Sequence, residues 1–126
     1  MNIPDNIKYT KDHEWIKLEA SYALVGITDY AQGELGDIVF IEIETKGEHI
    51  AKGEVFGSIE AVKTVSDLFM PASGEIIEVN EKLNDSPDLV NTDPFGDGWL
   101  IKVKIGNAAE LNDLLDSKQY KELISA

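Results

Sequence analysis

The chain has 126 residues, a length that favours one domain over two of ordinary size. Its 24 acidic residues outnumber 11 basic ones, and the net charge of -13 argues against nucleic acid and anionic membranes as partners. Basic protein surfaces would suit this charge, although an acidic surface that serves only solubility would look the same. The absence of cysteine excludes disulfides, thiolate metal sites and a cysteine nucleophile.

Neither a targeting segment nor a membrane span is predicted. The first ten residues, MNIPDNIKYT, lack a basic stretch followed by an apolar one. No apolar run approaches the length of a membrane helix. We therefore expect a cytoplasmic protein.

Short strands are predicted for most of the chain before residue 106. The clearest is GWLIKVKI, in which apolar residues alternate with Lys102 and Lys104, as in a strand with one buried face. Gly, Pro and Asn punctuate the other apolar runs. The predicted strands are residues 15–18, 22–25, 37–44, 51–63, 64–85 and 98–105, with breaks near Lys63, at Pro71 to Gly74 and at Asn84-Asp85.

Helical signals are brief before the tail. Thr28 is placed to cap a short helical turn, which Gly33 and Gly36 would end. The segment SPDLVNTDPFGDG is rich in turn residues and is predicted to wrap the surface as a loop.

The tail after Gly106 changes character. Asn107 and Glu110 have the spacing of a capping box, and leucines follow at 111, 114 and 115 with helical spacing. Ser117 is predicted to start a second short helix that carries Tyr120.

A weak internal echo relates GDIVFIEIE…IAKGEVFGSIE to GEIIEVNEK…LVNTDPFGDGWLIKV. Both copies open with Gly-acid-Ile, pass a polar turn and reach a Phe-Gly before another strand. The echo predicts two similar half-sheets around Lys63, related by approximate two-fold symmetry. Each half would bury one face against the other.

No residue cluster predicts an active site. His13 in KDHEW could bind a metal or transfer protons, but the second histidine of a helical zinc motif is missing. A polar residue at a strand edge is the favoured interpretation of His13, and a solvated position that of His49. A stand-alone enzyme is therefore the weaker hypothesis.

Lys63 is the unusual residue. It lies between two apolar stretches, where no Gly, Asn or Pro forms an ordinary turn, and its neighbours Val62 and Thr64 are small and β-branched. Many lysines at exposed turns have no specific role. A stiff hairpin would, however, present this amine so that another enzyme could acylate it and mount a long tether there.

Three stretches, GITDYAQGELGDIVFIE, FGSIEAVKTVSDLFMPASGEIIEVN and DPFGDGWLIKV, resemble the H-protein family of the glycine cleavage system. The likeness begins at YTKDHEWI and continues through LLDSKQYKELI, which covers nearly the whole chain. The resemblance implies a mainly β fold, a lipoyl/biotinyl-type barrel-sandwich hybrid of two β-sheets with N-terminal strands and short C-terminal helices. We expect one domain over residues 1–126, with a core of about 22–105 and a helical tail of about 107–126.

The resemblance also implies the site residues. Lys63 would carry lipoate in amide linkage. Glu60 and Gly47 match positions that the family associates with recognition by the lipoate-attaching enzyme, and Asp67 is a weaker candidate for recognition or arm contact. A solvated strand glutamate and a turn glycine without any recognition role are equally compatible with the sequence at Glu60 and Gly47.

The implied role is group transport by a non-catalytic carrier in glycine catabolism and one-carbon metabolism. A pyridoxal-phosphate glycine decarboxylase (P protein) would load an aminomethyl group onto the lipoyl arm, and a tetrahydrofolate-dependent aminomethyltransferase (T protein) would remove its methylene group. Dihydrolipoamide dehydrogenase (L protein) would reoxidise the arm. Lipoate-attaching enzymes complete the expected partners, and we expect a monomer.

In the family the loaded arm folds into a cleft on the carrier. The resemblance implies wall residues near Glu14, Trp15, Ile27 and Asp67, without a choice among them. Tyr30 stands where some relatives carry histidine, so a phenol would hold the loaded amine by a hydrogen bond instead of a titrating base.

Three alternatives stay open. A lipoyl relay protein would pass its lipoyl group to 2-oxoacid dehydrogenase subunits, and gene deletion would then remove lipoylation from other proteins. A biotin carrier would share the fold, although that family usually brackets its lysine with methionines. A binding module would leave Lys63 unmodified. Intact mass distinguishes these last two from a lipoyl carrier.

Overall fold

The computed structural model describes residues 1–125, in which strands form two antiparallel sheets and short helices connect them. The strands are β1 (Lys8–Tyr9), β2 (Glu14–Leu18), β3 (Ala23–Ile27), β4 (Ile38–Glu42), β5 (His49–Ile50), β6 (Val55–Ala61), β7 (Val65–Phe69), β8 (Gly74–Val79) and β9 (Ile101–Ile105). The α-helices are α1 (Asp29–Leu35), α2 (Lys82–Asp85), α3 (Leu89–Thr92) and α4 (Ser117–Ser125), and a 3-10 helix spans Ala108–Asp113.

The larger sheet has the strand order β1-β2-β3-β9-β8-β5, and the smaller has the order β4-β6-β7. Apolar side chains from both sheets, such as Val25 and Val103 from one and Ile59 and Leu68 from the other, form a single buried cluster. The fold is therefore the mainly β sandwich that the resemblance implied, with added N-terminal strands and C-terminal helices.

Strand β9 shows how sequence alternation sets this packing. Ile101 and Val103 are buried, whereas Lys104 on the opposite face is exposed. The ammonium of Lys102 lies 3.3 Å from an oxygen of Glu78 and over the ring of Tyr22. The strand begins at Ile101, slightly later than predicted.

Helix α1 begins as predicted. The Thr28 hydroxyl accepts a hydrogen bond from the Ala31 N–H, and Gly36 ends the helix at a φ of 81°. That left-handed conformation favours glycine. The prediction that Gly33 also ends the helix was wrong, since Gly33 lies inside α1.

The tail differs from prediction in its first half. Asn107 caps a 3-10 helix instead of an α-helix. The Glu110 carboxylate does not complete a capping box; it accepts hydrogen bonds from the N–H of Ser73 (2.8 Å) and from its hydroxyl (3.0 Å). A tertiary contact thus replaces the local one. Helix α4 begins at Ser117, as predicted.

The segment between β8 and β9 is more ordered than predicted. Strand β8 ends at Val79, and the chain then forms α2 and α3. The segment is not a surface loop, because Val90 and Pro94 are buried. Buried Asn80 stabilises the bend by donating hydrogen bonds of 2.8 Å to the carbonyls of Asp97 and Trp99.

The internal echo corresponds to repeated strand pairing. The first copy forms the antiparallel pair β4–β6 and the second forms β8–β9. Each pair has a register shift at the same place, after Ile38 in one and after Ile76 in the other. The two copies nevertheless belong to sheets of unequal size.

Candidate functional site: a lysine hairpin beside an apolar cleft

The turn between β6 and β7 presents Lys63 to solvent. The Ala61 N–H donates to the Thr64 carbonyl (2.8 Å) and closes the hairpin. The Val62 N–H donates to the Asp37 carbonyl (3.0 Å), which anchors the tip to the preceding loop. Among residues 1–125, His13 is the non-glycine residue with a positive φ, so the turn needs no left-handed residue. Lys63 is therefore exposed at the tip of a hairpin whose backbone is hydrogen-bonded to the loop before β4.

The lysine stem passes over Gly36. A Cβ built on Gly36 would lie 3.5 Å from Lys63 Cε and 3.9 Å from Nζ. Asn91 on α3 holds this loop: its side-chain amide donates to the Gly36 carbonyl (2.8 Å), and its oxygen accepts from the Ile38 N–H (2.9 Å). The sequence carries no local signal for this role of Asn91, since its partners are more than 50 positions away.

A cleft of about 310 Å³ opens next to the hairpin, between α1, β7 and the start of β2. Five apolar side chains and a set of polar ones line it. The apolar residues are Ile27, Ala31, Leu35, Ile59 and Leu68, and the polar ones are Asp12, His13, Glu14, Tyr30, Glu34, Ser66 and Asp67. Leu35 precedes Gly36 and Ser66 follows the turn, so the cleft begins beside the lysine.

Glu14 is a buried carboxyl in the cleft wall. Its Oε2 accepts a hydrogen bond from the Phe69 N–H (2.8 Å), and its Oε1 accepts one from the Thr10 hydroxyl (3.3 Å). Burial raises the pKa of Glu14 to about 8, because desolvation of the charge outweighs these hydrogen bonds. Near neutral pH the carboxyl therefore keeps its proton.

His13 forms the next part of the wall and differs from its predicted place at a strand edge. It precedes β2 in a left-handed conformation, with a φ of 66°. Its Nδ1 lies 2.9 Å from the hydroxyl of Tyr120 on α4, which lies 2.7 Å from the Thr28 hydroxyl. Burial lowers the pKa of His13, although Asp12 and Glu34 act in the opposite direction. Helix α4 thus stabilises the cleft wall through the contact of Tyr120 with His13.

Trp15 does not line the cleft, unlike Glu14, Ile27 and Asp67. Adjacent strand residues point to opposite faces, so Trp15 packs away from the side of Glu14. Its indole N–H donates to the Pro94 carbonyl (3.0 Å). Its ring covers Gly26, where a Cβ would lie 2.7 Å from ring atoms.

Glu60 and Asp67 lie on the two strands of the lysine hairpin, and Gly47 does not. Glu60 is exposed on β6, and Asp67 on β7 reaches the cleft rim. Strand β4 starts opposite Ala61 and runs away from the hairpin, so Gly47 lies beyond its far end. The φ of 88° at Gly47 accounts for a glycine there. The recognition roles of all three residues stay predictions.

Residues 1–125 contain neither a candidate metal site nor a membrane-spanning helix. No group of three or more His, Asp or Glu side chains is arranged to hold a metal ion. No helix in that range is long and apolar enough to cross a membrane. His49 is exposed, as predicted.

Replacing Tyr120 by phenylalanine should lower the free energy of unfolding by about 1–3 kcal/mol, because the buried hydroxyl contacts both His13 and Thr28. Urea unfolding measures the change. Tyr22→Phe is the matched control, since no hydrogen bond joins the Tyr22 hydroxyl to another described side chain or backbone group. Equal, small changes in the two variants would contradict the proposed support of the cleft by α4.

Two facing sheets with a lysine at the exposed turn of a hairpin define the lipoyl/biotinyl-type barrel-sandwich class. Residues 7–126 match the family model described as glycine cleavage H-protein. The chain belongs to the glycine cleavage H-protein family, whose members are lipoate carriers.

Individual relatives agree over the full length. The chain is 60% identical to the glycine cleavage system H protein of Bacteroides fragilis over 126 residues, which covers 100% of both chains. It is 55% identical to the H protein of Chlorobium phaeobacteroides over 128 residues, again covering 100% of both. The crystal structure of the Mycobacterium marinum H protein superposes with a TM-score of 0.89 at 41% identity, covering 98% of this chain and 100% of that one.

Proposed function

We propose that this chain carries lipoate on Lys63 and moves the aminomethyl group of glycine between the enzymes of the glycine cleavage system. The observation that carries the proposal is the exposed Lys63 at a hairpin tip, in a chain of the H-protein family. The lipoyl group would supply the disulfide and thiol chemistry, while the protein supplies position and recognition. Glycine decarboxylase, aminomethyltransferase and dihydrolipoamide dehydrogenase would be its partners, and the chain itself would not be a catalyst.

The residues near Lys63 suit a flexible lipoyl arm. The lysine stem passes over Gly36, and the cleft offers an apolar floor from Ile27, Ile59 and Leu68. An apolar floor favours contact with a hydrocarbon chain over water. In this proposal the cleft shelters the arm between partners.

Glu14 would respond to a loaded amine. Its pKa of about 8 means that Glu14 is an uncharged carboxyl near neutral pH. A protonated amine in the cleft would favour the carboxylate and lower the pKa of Glu14. Asp67 at the rim and the Tyr30 hydroxyl are further hydrogen-bond acceptors for such an amine.

Glu60 and Gly47 are proposed to contribute to recognition by the lipoate-attaching enzyme. The acid lies on the hairpin strand that leads to Lys63, where it can attract a basic surface. Gly47 would act by allowing close backbone approach, from a more distant part of the surface.

A glycine–bicarbonate exchange assay tests the proposed function. Purified glycine decarboxylase, labelled bicarbonate and the lipoylated chain should exchange label into glycine, and the unmodified chain should give only background. Another H protein, lipoylated in the same way, serves as the positive control. Activity with that control and none with this chain would contradict the proposal.

A further inference from the structure

A β-bulge places two large apolar side chains in solvent beside the lysine hairpin. Ile38 pairs with Ala61 and Phe40 pairs with Glu60, which leaves Val39 as an extra residue in β4. Val39 is 47% exposed and Phe40 is 53% exposed. Bulges commonly redirect side chains next to functional sites.

The exposed apolar residues surround an acid. Glu60 lies between Phe40 on one neighbouring strand and Val65 on the other, and residues that pair across strands share a face. Val65 is 63% exposed. We call this set, Val39, Phe40, Glu60 and Val65, the bulge surface. It begins two residues from Lys63 on β7 and three on β6.

The internal repeat shows that the fold does not require this composition. The second copy has the same register shift in β8, where Ile77 and Glu78 take the places of Val39 and Phe40. Glu78, which stands in the place of Phe40, forms an ion pair with Lys102 there. Because the bulge tolerates a charged residue, the exposed Phe40 needs another explanation. Contiguous exposed apolar residues rimmed by polar ones are typical of interaction sites.

We propose that the bulge surface is the docking site for the enzyme that attaches lipoate to Lys63, an inference that rests on the proposed function. In that reaction the lysine amine itself enters the partner's active site, so the partner must cover the surface around the hairpin. Enzymes that act on the loaded arm reach it at the end of a longer tether. The attaching enzyme is thus the partner that needs Val39, Phe40 and Val65 most.

The bulge surface specifies the chemistry of its partner. The partner would need an apolar pocket for Phe40 and a Lys or Arg side chain beside Glu60. The acidic net charge of the chain adds to the attraction of a basic partner. With ATP as co-reactant, the lipoate carboxylate first displaces pyrophosphate from ATP and forms lipoyl-adenylate. Lys63 Nζ then bonds to the lipoyl carbonyl carbon, AMP leaves with the electron pair of the broken C–O bond, and the amine loses a proton.

The test is the rate at which a purified lipoate–protein ligase modifies the unmodified chain with lipoic acid and ATP, followed by intact mass. Phe40→Ser should lower kcat/KM about tenfold, mainly through a higher KM for the protein, and Phe40→Leu should restore much of it. Ile77→Ser is the matched control at the repeated bulge, and it should behave as the wild type does. Thermal unfolding of each variant checks that the fold is retained.

Two results would overturn the inference: an unchanged kcat/KM for Phe40→Ser, or equal losses for Phe40→Ser and Ile77→Ser. A second assay separates this partner from the others. Phe40→Ser that has been lipoylated to completion should support glycine–bicarbonate exchange within about twofold of the wild type. A tenfold loss there would mean a docking face shared by all partners and would also overturn the assignment. Failure of the wild type to take lipoate would instead refute the proposed function.

Discussion

Replacing Lys63 by arginine should abolish lipoylation and reduce glycine–bicarbonate exchange to background. Arginine keeps the positive charge and the approximate length of lysine, but its guanidinium does not accept the lipoyl group that the lysine amine would accept. Lys63 is exposed at a turn, so the substitution should leave the free energy of unfolding nearly unchanged. Intact mass, exchange rate and urea unfolding measure the three effects.

Lys46→Arg is the matched control, because Lys46 is exposed in a turn of the loop between β4 and β5. This variant should take one lipoyl group and support exchange at the wild-type rate. A lipoyl adduct on the Lys63→Arg protein would show that another lysine is the attachment site. That adduct would contradict lipoate attachment at Lys63, whether or not the variant supported exchange.

Replacing Glu14 by glutamine should remove a large pH dependence of stability. The pKa of Glu14 rises from its ordinary value of 4.5 to about 8 in the folded state. Between these values the unfolded chain has released a proton that the folded chain keeps, so wild-type stability falls as pH rises, by about 1.4 kcal/mol per pH unit. Glutamine does not titrate. The advantage of the variant over the wild type should grow by about 3 kcal/mol between about pH 5.5 and pH 8.

Urea unfolding of both proteins across this pH range measures the difference. The control is Glu42→Gln, since Glu42 is exposed on β4 and its substitution should give a difference that hardly varies with pH. A constant difference for Glu14→Gln would mean that this carboxyl is already ionised in the folded protein. The inference that Glu14 is uncharged in the folded protein would then be wrong.

Local sequence patterns account for the parts of the fold that depend on neighbouring residues. Alternation identified β9, and the hydroxyl of Thr28 identified the start of α1. The exposed bend at Lys63 also follows from two flanking apolar runs. In each case the physical cause lies within a few residues, so one sequence is enough to expose it.

Contacts between distant segments could not be predicted in this way. His13 owes its setting in part to Tyr120, which is 107 positions away, and Asn91 holds a loop more than 50 positions earlier. Glu110 has the spacing of a capping residue, yet its carboxylate accepts hydrogen bonds from Ser73 instead of from the local backbone. Only the folded chain brings these groups together.

The bulge surface illustrates a third case. The sequence DIVFIEIE correctly predicted a half-buried strand, but simple alternation would place Val39 and Phe40 on opposite faces. The register shift instead leaves both exposed. The echo of GDIVF in GEIIE marks where the shift occurs, although its meaning is clear only from the strand pairing.

Mass spectrometry of the protein purified from a host with active lipoylation decides whether this chain acts through a cofactor on Lys63. The peptide that contains residue 63 is fragmented to locate the modified atom. We expect a lipoyl group in amide linkage to Lys63. An unmodified Lys63, or a biotin mass in its place, would contradict it.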